Sequence, residues 1–344
     1  MSEPLYDPKR LMKTRLLGRT GLMVSELSLG AAFVTTGEAG FRGATPLIRE
    51  ALDLGLSLID TSADYGDSEA AVGEALRNEA RPVIISTKIG PRSRGFNPKD
   101  KKQLRKTFDE SLRLLRRDSV DILMIHEPDR AGQIDWWDDH RTYDGPIVKV
   151  LSELKEEGKI RYTGLGGTTA YEMVPIVATG FYDVLLTAFN YSILWREAAI
   201  ELLPEARRQN MGILLASPTQ QGWLANRYDA QVSQANSRWL NKPRREQLKK
   251  LYAFVNETGI PLPELTLRWA LMNPDASTVL TGPRNLDQLR QNARAAEAGP
   301  LSKSIMDRLD EIASMVPFRP FEEPFGCPFL GNPDLVKRPG HAFR

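Results

Sequence analysis

The chain has 344 residues, 41% of them hydrophobic, and its 46 basic and 44 acidic side chains give a net charge of +2. This composition is typical of a soluble globular protein and gives no electrostatic basis for nucleic-acid binding. One cysteine excludes an intramolecular disulfide, and with three histidines we predict no metal site. We expect a cytoplasmic protein without a membrane partner, because the sequence has neither an apolar signal core nor an apolar run of about 18 residues.

Short apolar runs alternate with longer amphipathic stretches along the chain, as in parallel α/β proteins. Eight of these apolar runs are predicted strands: 26–30, 56–62, 83–90, 121–127, 162–167, 184–190, 212–217 and 278–282. The amphipathic stretches predict helices at 46–54, 68–78, 99–117, 147–157, 170–179, 196–209, 244–257, 263–272 and 286–296. Thr45 is the predicted N-cap of the first helix, and Asn285 with Gln288 forms a predicted capping box.

Eight strands alternating with helices predict a closed (β/α)₈ TIM barrel over residues 26–300, within a single domain spanning 1–344. An open doubly wound sheet is the alternative. Such a sheet usually carries a G-x-G-x-x-G fingerprint after its first strand, and "LGAAFVTTG", 29–37, has none. The barrel is therefore favoured.

Segments at both ends add to the predicted barrel. Residues 14–25 predict an N-terminal β-hairpin beneath the barrel, and an extra helix is predicted at 305–315. The end of the chain, within 301–344, is rich in Pro, Phe and Gly and predicts an irregular tail, which either wraps the surface or lines a binding mouth. Long loops at 127–145 and 225–242 are predicted at the barrel mouth.

Four chemically active side chains follow three neighbouring predicted strands. Asp60 and Tyr65 follow the second strand, Lys88 lies at the end of the third, and His126 lies at the end of the fourth. Each alone has an ordinary interpretation as a turn cap, a half-buried aromatic, a surface charge or a core imidazole. Because TIM barrels carry their chemistry at the C-terminal ends of strands, the joint occurrence favours a catalytic site.

The combination suits reduction of a carbonyl group. Free tyrosine, with a pKa of about 10, is a poor proton donor at neutral pH, but a nearby ammonium lowers that pKa by ~1–3 units. We therefore expect Lys88 to lower the pKa of Tyr65, with Asp60 as the counter-ion of Lys88. His126 can orient the carbonyl oxygen. A cofactor-free isomerase or aldolase, in which Lys88 forms a Schiff base, is an alternative.

Several motifs together resemble the aldo-keto reductase family over about residues 14–300. They include "RLLGRTGLMVSELSLG", "IDTSADYG", "VIISTKIG" and "LMIHEPD". The resemblance implies a (β/α)₈ enzyme that interconverts carbonyls and alcohols with NADPH or NADH. It also implies that Tyr65 is the general acid, Lys88 its pKa depressor, Asp60 the partner of Lys88, and His126 the substrate orienter.

Two further segments match the family's cofactor-binding regions. In "ASPTQQGWL", 216–224, the resemblance implies that Ser217, Thr219 and Gly222 contact the pyrophosphate. In "GPRNLDQLRQN", 282–292, it implies that Arg284 faces the 2′-phosphate, with Gln288 and Asn292 near the adenine. Since Arg284 precedes a predicted helix, it suits an anion site, which favours NADPH, with NADH possible.

The chain departs from the family at the nicotinamide. Many members carry Ser-Asn where this chain has Gly166-Gly167, a glutamine where it has Leu186, and a tyrosine where it has Ala216. We predict that Gly166 lies at the cofactor and that Asn190 replaces the missing amide contact.

The stretch "DVLLTAFNYSIL", 183–194, resembles the aldose-dehydrogenase branch of the family and points to a sugar-like substrate. For that substrate, Trp136, Trp137 and Arg141 are the predicted pocket wall. The alternative is a solvated loop with one tryptophan tucked into the barrel. We predict an NADP(H)-dependent oxidoreductase acting on an aldose or sugar-derived aldehyde. The alternatives are an NAD-dependent aldose dehydrogenase working oxidatively and a cofactor-binding regulatory subunit. The sequence leaves the oligomeric state open.

Overall fold

The computed structural model describes residues 12–92, 95–233 and 240–317, within which eight parallel strands close into a barrel. The strands in chain order are β1 (Thr14–Leu16), β2 (Met23–Ser25), β3 (Leu27–Gly30), β4 (Leu58–Asp60), β5 (Ile84–Ile89), β6 (Val120–His126), β7 (Ile160–Gly167), β8 (Val184–Ala188), β9 (Gly212–Ala216) and β10 (Thr278–Thr281). Strands β3 to β10 form the barrel in sequence order, and β10 pairs with β3 to close it. The predicted TIM barrel is confirmed.

Helices lie between the barrel strands as predicted. In chain order they are α1 (Gly40–Asp53), α2 (Ser68–Ala75), α3 (Lys101–Leu115), α4 (Pro146–Glu156), α5 (Ala170–Val177), α6 (Leu202–Arg208), α7 (Asp229–Ser233), α8 (Lys242–Thr258), α9 (Leu262–Leu271), α10 (Leu286–Glu297) and α11 (Lys303–Ser314). Helix α11 corresponds to the predicted extra helix.

Two predicted helix boundaries were wrong. Helix α1 begins at Gly40, so Thr45 lies inside the helix and does not cap it. The buried face that includes Leu47 and Ile48 stabilises this longer helix despite the hydrogen bond that Pro46 removes. The helix predicted at 196–209 is divided into a short 3₁₀ turn and α6.

The N-terminal hairpin closes the bottom of the barrel. Strands β1 and β2 pair antiparallel, and the buried Leu17 between them packs into the barrel interior together with Val24. Leu17 approaches the start of β9 so closely that a Cβ at Gly212 would lie 2.6 Å from its Cγ. The hydroxyl of Tyr162 donates to the carbonyl oxygen of Thr20 (2.6 Å), which fixes the hairpin to β7.

The predicted N-cap of α10 is confirmed, with one difference. The side chain of Asn285 accepts a hydrogen bond from the Gln288 backbone N–H (2.9 Å). The Gln288 side chain reaches back to the N–H of Arg284 (2.8 Å) instead of that of Asn285. This pair of bonds fixes the backbone of Arg284 at the start of the helix.

Some predictions concern residues that lie outside the described chain. They include the role of the tail after residue 317 and part of the second mouth loop, 234–239. The prediction that residues 1–344 form a single domain therefore stays a prediction. Within the described ranges, no helix is both long enough and apolar enough to cross a bilayer.

Candidate active site

A cavity of about 360 Å³ opens where the barrel strands end. All four predicted catalytic residues line it: Asp60, Tyr65, Lys88 and His126. The same cavity is lined by seven of the predicted cofactor residues, namely Gly166, Ser217, Thr219, Gly222, Arg284, Gln288 and Asn292. The fold thus brings together residues that are separated by more than 200 positions in the chain.

A buried ion pair lies at the base of the cavity. The Nζ of Lys88 donates to Asp60 Oδ2 (2.5 Å) and to the carbonyl oxygen of Thr61 (2.9 Å). The Ser86 hydroxyl donates to the other Asp60 oxygen (2.9 Å). Burial lowers the pKa of Lys88 and raises the pKa of Asp60, while the attraction between the two opposes both shifts. The pair therefore holds a cation within the barrel only because the carboxylate lies beside it.

Tyr65 lies in the turn after β4, where its backbone N–H donates to the carbonyl oxygen of Ser62 (3.1 Å). The Nζ of Lys88 is 4.8 Å from the centre of its ring. This arrangement places the phenol beside the buried ammonium, as the sequence predicts.

The direction of the Tyr65 pKa shift differs from the prediction. Burial raises the pKa of the phenol well above its ordinary value, and the carboxylates of Asp60, Glu127 and Asp64 raise it further. Lys88 does not reverse this shift, because Asp60 compensates its charge and the surroundings disfavour a phenolate. At neutral pH the phenol is therefore protonated, which is the form that can donate a proton.

His126 ends strand β6 with its Nδ1 edge turned toward the Tyr65 turn. Its Nδ1 lies 3.4 Å from the Ser62 hydroxyl and 3.9 Å from Asp64 Oδ2. Gly90 packs against His126, and a Cβ at position 90 would lie 3.3 Å from the His126 Cβ. The absence of a side chain at Gly90 therefore leaves room for the imidazole. The ring meets Tyr65 edge to face, with centroids 5.5 Å apart. The turn thus orients both the phenol and the imidazole, although sequence reasoning did not single out Ser62 or Asp64.

A second, partly buried ion pair supports the site from outside the barrel. Glu69, at the start of α2, accepts hydrogen bonds from the Thr87 hydroxyl (2.6 Å) and from Arg92 Nη2 (2.5 Å). Arg92 also donates to the Ser111 hydroxyl on α3 (2.6 Å) and lies 3.5 Å from the Ala63 carbonyl oxygen. Because Thr87 precedes Lys88 and Ala63 lies in the Tyr65 turn, this pair connects the segments that carry the two catalytic candidates.

The far end of the cavity carries the groups expected for binding a phosphate. The loop after β9 has positive φ at Ser217 (55°), Gln221 (55°) and Gly222 (104°). On the opposite side, Arg284 stacks over the ring of Phe33, with its guanidinium carbon 4.7 Å from the ring centre. Hydroxyls, turned backbone and an exposed guanidinium are the donor set that anionic phosphates bind.

The family model described as "Aldo/keto reductase family" matches residues 26–314 of this chain. The chain belongs to the aldo/keto reductase family. As a member it is an oxidoreductase of a family that uses nicotinamide cofactors and acts on small carbonyl substrates.

Individual relatives of this aldo/keto reductase agree with that assignment. It is 31% identical over 301 residues to L-galactose dehydrogenase of Arabidopsis thaliana, covering 83% of this chain and 88% of that protein. It is 30% identical over 317 residues to NADH-specific methylglyoxal reductase of Escherichia coli, covering 83% and 93% of the two chains. The holo structure of aldo-keto reductase AKR11C1 from Bacillus halodurans matches with a TM-score of 0.73 and 26% identity, covering 91% and 100%. The similarity to L-galactose dehydrogenase is consistent with the predicted aldose-dehydrogenase-like branch.

The structure does not place Asn190, the predicted cofactor ligand, in the described lining of the cavity, and its role stays a prediction. The described residues that line the cavity do not include Asn190, which is buried and donates to the Thr187 hydroxyl (3.1 Å). The left-handed backbone of Phe189 (φ 69°) turns the chain after β8, so that Phe189 lines the cavity in its place. The side chain of Gln220 fixes this turn by donating to the Phe189 carbonyl oxygen (2.8 Å).

The structure likewise does not bring the predicted pocket wall in the loop after β6 to the cavity, and that call stays a prediction. Trp136 and Trp137 are 0% and 2% exposed, and the described lining of the cavity includes neither of them nor Arg141. The Trp137 indole N–H donates to the carbonyl oxygen of Pro128 (3.2 Å), and Trp136 packs edge to face on Phe96. The tryptophans bury their rings beneath the loop because their apolar area is stabilised more by packing than by a wet cavity wall.

Several polar residues that were not predicted line the cavity of this aldo/keto reductase, and two of them follow strand ends. Glu127 directly follows His126, and Thr168 directly follows β7. Both stand next to a strand end, which is the sequence signal that could have identified them. Around them the wall is formed by Gly166, Leu186 and Ala216, whose side chains offer no hydrogen-bonding group.

Proposed function

We propose that this protein interconverts a small polar carbonyl compound and its alcohol by hydride transfer, using NADPH or NADH. The observation that supports the proposal most strongly is one arrangement. The ammonium of Lys88, paired with Asp60, lies 4.8 Å from the Tyr65 ring centre in the cavity that His126 also lines. A protonated phenol, a buried cation and an imidazole are the groups that protonation of a carbonyl oxygen requires.

In this proposal Tyr65 donates its proton to the carbonyl oxygen, since its raised pKa keeps it protonated at neutral pH. Lys88 stabilises the negative charge that develops on the phenol oxygen as the proton leaves. His126 hydrogen-bonds the carbonyl oxygen and fixes its orientation toward Tyr65. A reduced nicotinamide, when bound, supplies the hydride that completes the alcohol.

The residues that would hold the cofactor are Ser217, Thr219 and Gly222 at the pyrophosphate, and Arg284 at the adenosine end with Gln288 and Asn292. Glycine at 282 suits this role, because a Cβ there would lie 3.1 Å from the Phe33 ring and narrow the groove. Arg284 supports a preference for NADPH through its positive charge. NADH remains the alternative, since a 30% identical relative is named as NADH-specific.

We propose a sugar-like substrate on the basis of the L-galactose dehydrogenase relative. The second candidate direction is oxidation of a sugar with NAD⁺, for which Tyr65 would act as a base. Both directions use the same side chains.

The test is the absorbance of the reduced nicotinamide, with NADPH and NADH run separately against aldoses, short aldehydes and aromatic ketones. Oxidation of NADPH by hydroxylated aldehydes is the expected result. Cofactor binding without turnover of any carbonyl would contradict the proposal and favour a regulatory subunit. If the protein bound neither NADPH nor NADH, hydride transfer would be refuted. Trapping with borohydride distinguishes the Schiff-base alternative at Lys88.

A further inference from the structure

Glu127 is a buried carboxylate in the cavity wall that the proposed reaction does not use. The residue is 6% exposed and lines the cavity that contains Tyr65 and His126. Its backbone N–H donates to the carbonyl oxygen of Gly166 (2.7 Å), which fixes it to the end of β7. Its negative charge contributes to the raised pKa of Tyr65, so the carboxylate lies near the reacting groups.

The backbone of Glu127 supports that view. Its φ is 52°, in the left-handed region, where residues other than glycine are uncommon. Such conformations cluster at catalytic and ligand-binding sites. This turn comes immediately after His126, and Glu127 is among the described residues that line the cavity.

Thr168 adds a second polar group beside Glu127. Its Oγ1 accepts a hydrogen bond from Arg130 Nε (2.7 Å), so the Thr168 hydroxyl hydrogen is directed away from Arg130. Arg130 Nε also lies 3.9 Å from Glu127 Oε1 and connects the two residues. The wall therefore combines a carboxylate acceptor with an oriented hydroxyl, next to the apolar side chains of Leu186 and Phe189.

We propose that Glu127, with Thr168, binds the hydroxyl groups of the substrate and selects polyhydroxylated aldehydes over hydroxyl-free ones. This inference rests on the proposed function and assigns a residue to its substrate class. A carboxylate can accept hydrogen bonds from two neighbouring hydroxyls of one molecule, whereas an aldehyde without hydroxyls offers it none. Such an aldehyde forms no hydrogen bond with Glu127, and sites that hydrogen-bond a substrate hydroxyl discriminate strongly against analogues that lack it.

The first experiment uses the wild-type enzyme with its cofactor and aldehydes of equal chain length. It compares kcat/KM for glyceraldehyde with propionaldehyde, and for an aldotetrose with butyraldehyde. We expect a preference for the hydroxylated member of about 10–100-fold, as expected for a hydrogen bond to a charged group. Equal kcat/KM values within each pair would overturn the inference, and this result does not depend on any variant folding.

The second experiment compares Glu127→Gln with Asp67→Asn in the same assays. Asp67 is an exposed carboxylate two residues after Tyr65 and is not among the described residues that line the cavity, so it controls for the change in charge. We expect Glu127→Gln to lower kcat/KM for the hydroxylated aldehydes about tenfold or more relative to kcat/KM for the hydroxyl-free aldehydes, so that the preference within each pair falls. We expect Asp67→Asn to keep the wild-type preference.

The outcomes separate this inference from the proposed function. If Glu127→Gln lowered kcat/KM equally for the hydroxylated and the hydroxyl-free aldehyde of each pair, Glu127 would be assigned to the chemistry at Tyr65. That result would overturn its role in specificity. A wild-type enzyme that reduces both kinds of aldehyde equally would leave hydride transfer intact and refute only hydroxyl recognition. A wild-type enzyme that reduces neither would contradict the proposed function itself.

Discussion

The Nζ of Lys88 lies 2.5 Å from Oδ2 of Asp60, and the two side chains are 1% and 4% exposed. This pair joins β5 to β4 inside the barrel and holds the ammonium 4.8 Å from the Tyr65 ring centre. Neither charge is tolerated there alone, so the two residues support the fold and the proposed chemistry as a unit.

Removing one member of the pair should destabilise the protein more than removing both. Asp60→Asn or Lys88→Met leaves an uncompensated buried charge and should each lower the free energy of unfolding by about 3–5 kcal/mol. The double variant should recover part of that loss, as measured by urea denaturation. Additive losses in the double variant would show that the two residues are not coupled.

Tyr65→Phe should retain cofactor binding and lose about 10²–10⁴ in kcat, the usual contribution of a positioned general acid. The variant keeps the aromatic ring and its contact with His126 and removes only the hydroxyl group that donates the proton. Steady-state kinetics and titration of cofactor fluorescence measure the two quantities separately. Normal turnover would exclude Tyr65 as the donor.

The pH dependence should differ between the two directions of the reaction. The pKa of Tyr65 is raised above its ordinary value of about 10, so the phenol stays protonated between pH 7 and about 9. Titration of Tyr65 should therefore not slow carbonyl reduction in that range. Alcohol oxidation needs the phenolate as a base and should rise with pH over the same range. Glu127→Gln removes a carboxylate that raises this pKa, and should move the rise in oxidation to lower pH. Profiles of kcat against pH in both directions test this, and an unchanged profile in the variant would contradict it.

Arg284→Ala should weaken NADPH binding by about 10–100-fold and leave NADH binding nearly unchanged, because only NADPH carries the 2′-phosphate. The NADPH effect should shrink as salt is added, since the guanidinium is exposed. Arg290→Ala is the matched control, because Arg290 is exposed on α10, which begins just after Arg284, and pairs with Glu50. Equal losses for both cofactors would place Arg284 elsewhere than at the 2′-phosphate.

Glu69→Gln should lower kcat with little change in KM, because Glu69 and Arg92 join the segments carrying Lys88 and Tyr65. The substitution keeps an acceptor for the Thr87 hydroxyl but weakens the bond to Arg92. A purely structural role would lower the melting temperature and leave kcat and its pH profile unchanged. Rescue of kcat by Glu69→Asp would support positioning through the charge.

The sequence alone determined the barrel and the residues at its strand ends. Apolar runs of strand length alternating with amphipathic helices have few folded solutions, and strand order then fixes which ends meet. Asp60, Tyr65, Lys88 and His126 could be predicted because each belongs to a strand end or directly follows one.

The tertiary structure alone decided where Trp136, Trp137 and Asn190 lie. An aromatic pair in a loop suits a binding wall and a buried core equally well in sequence, and only packing against Phe96 and Tyr143 distinguishes them. Asn190 is turned from the cavity by a left-handed residue before it, a backbone state that side-chain identity does not reveal.

The direction of the Tyr65 pKa shift was likewise beyond the sequence. The identity of Lys88 indicates a cation near the phenol, but the shift depends on desolvation and on the distances to every neighbouring carboxylate. Asp60 and Asp64 lie within five residues of Tyr65 in the chain, while Glu127 lies 62 residues away. The sequence therefore determined which groups meet, and the folded chain decided their electrostatics, because burial and charge separation exist only once the barrel has closed.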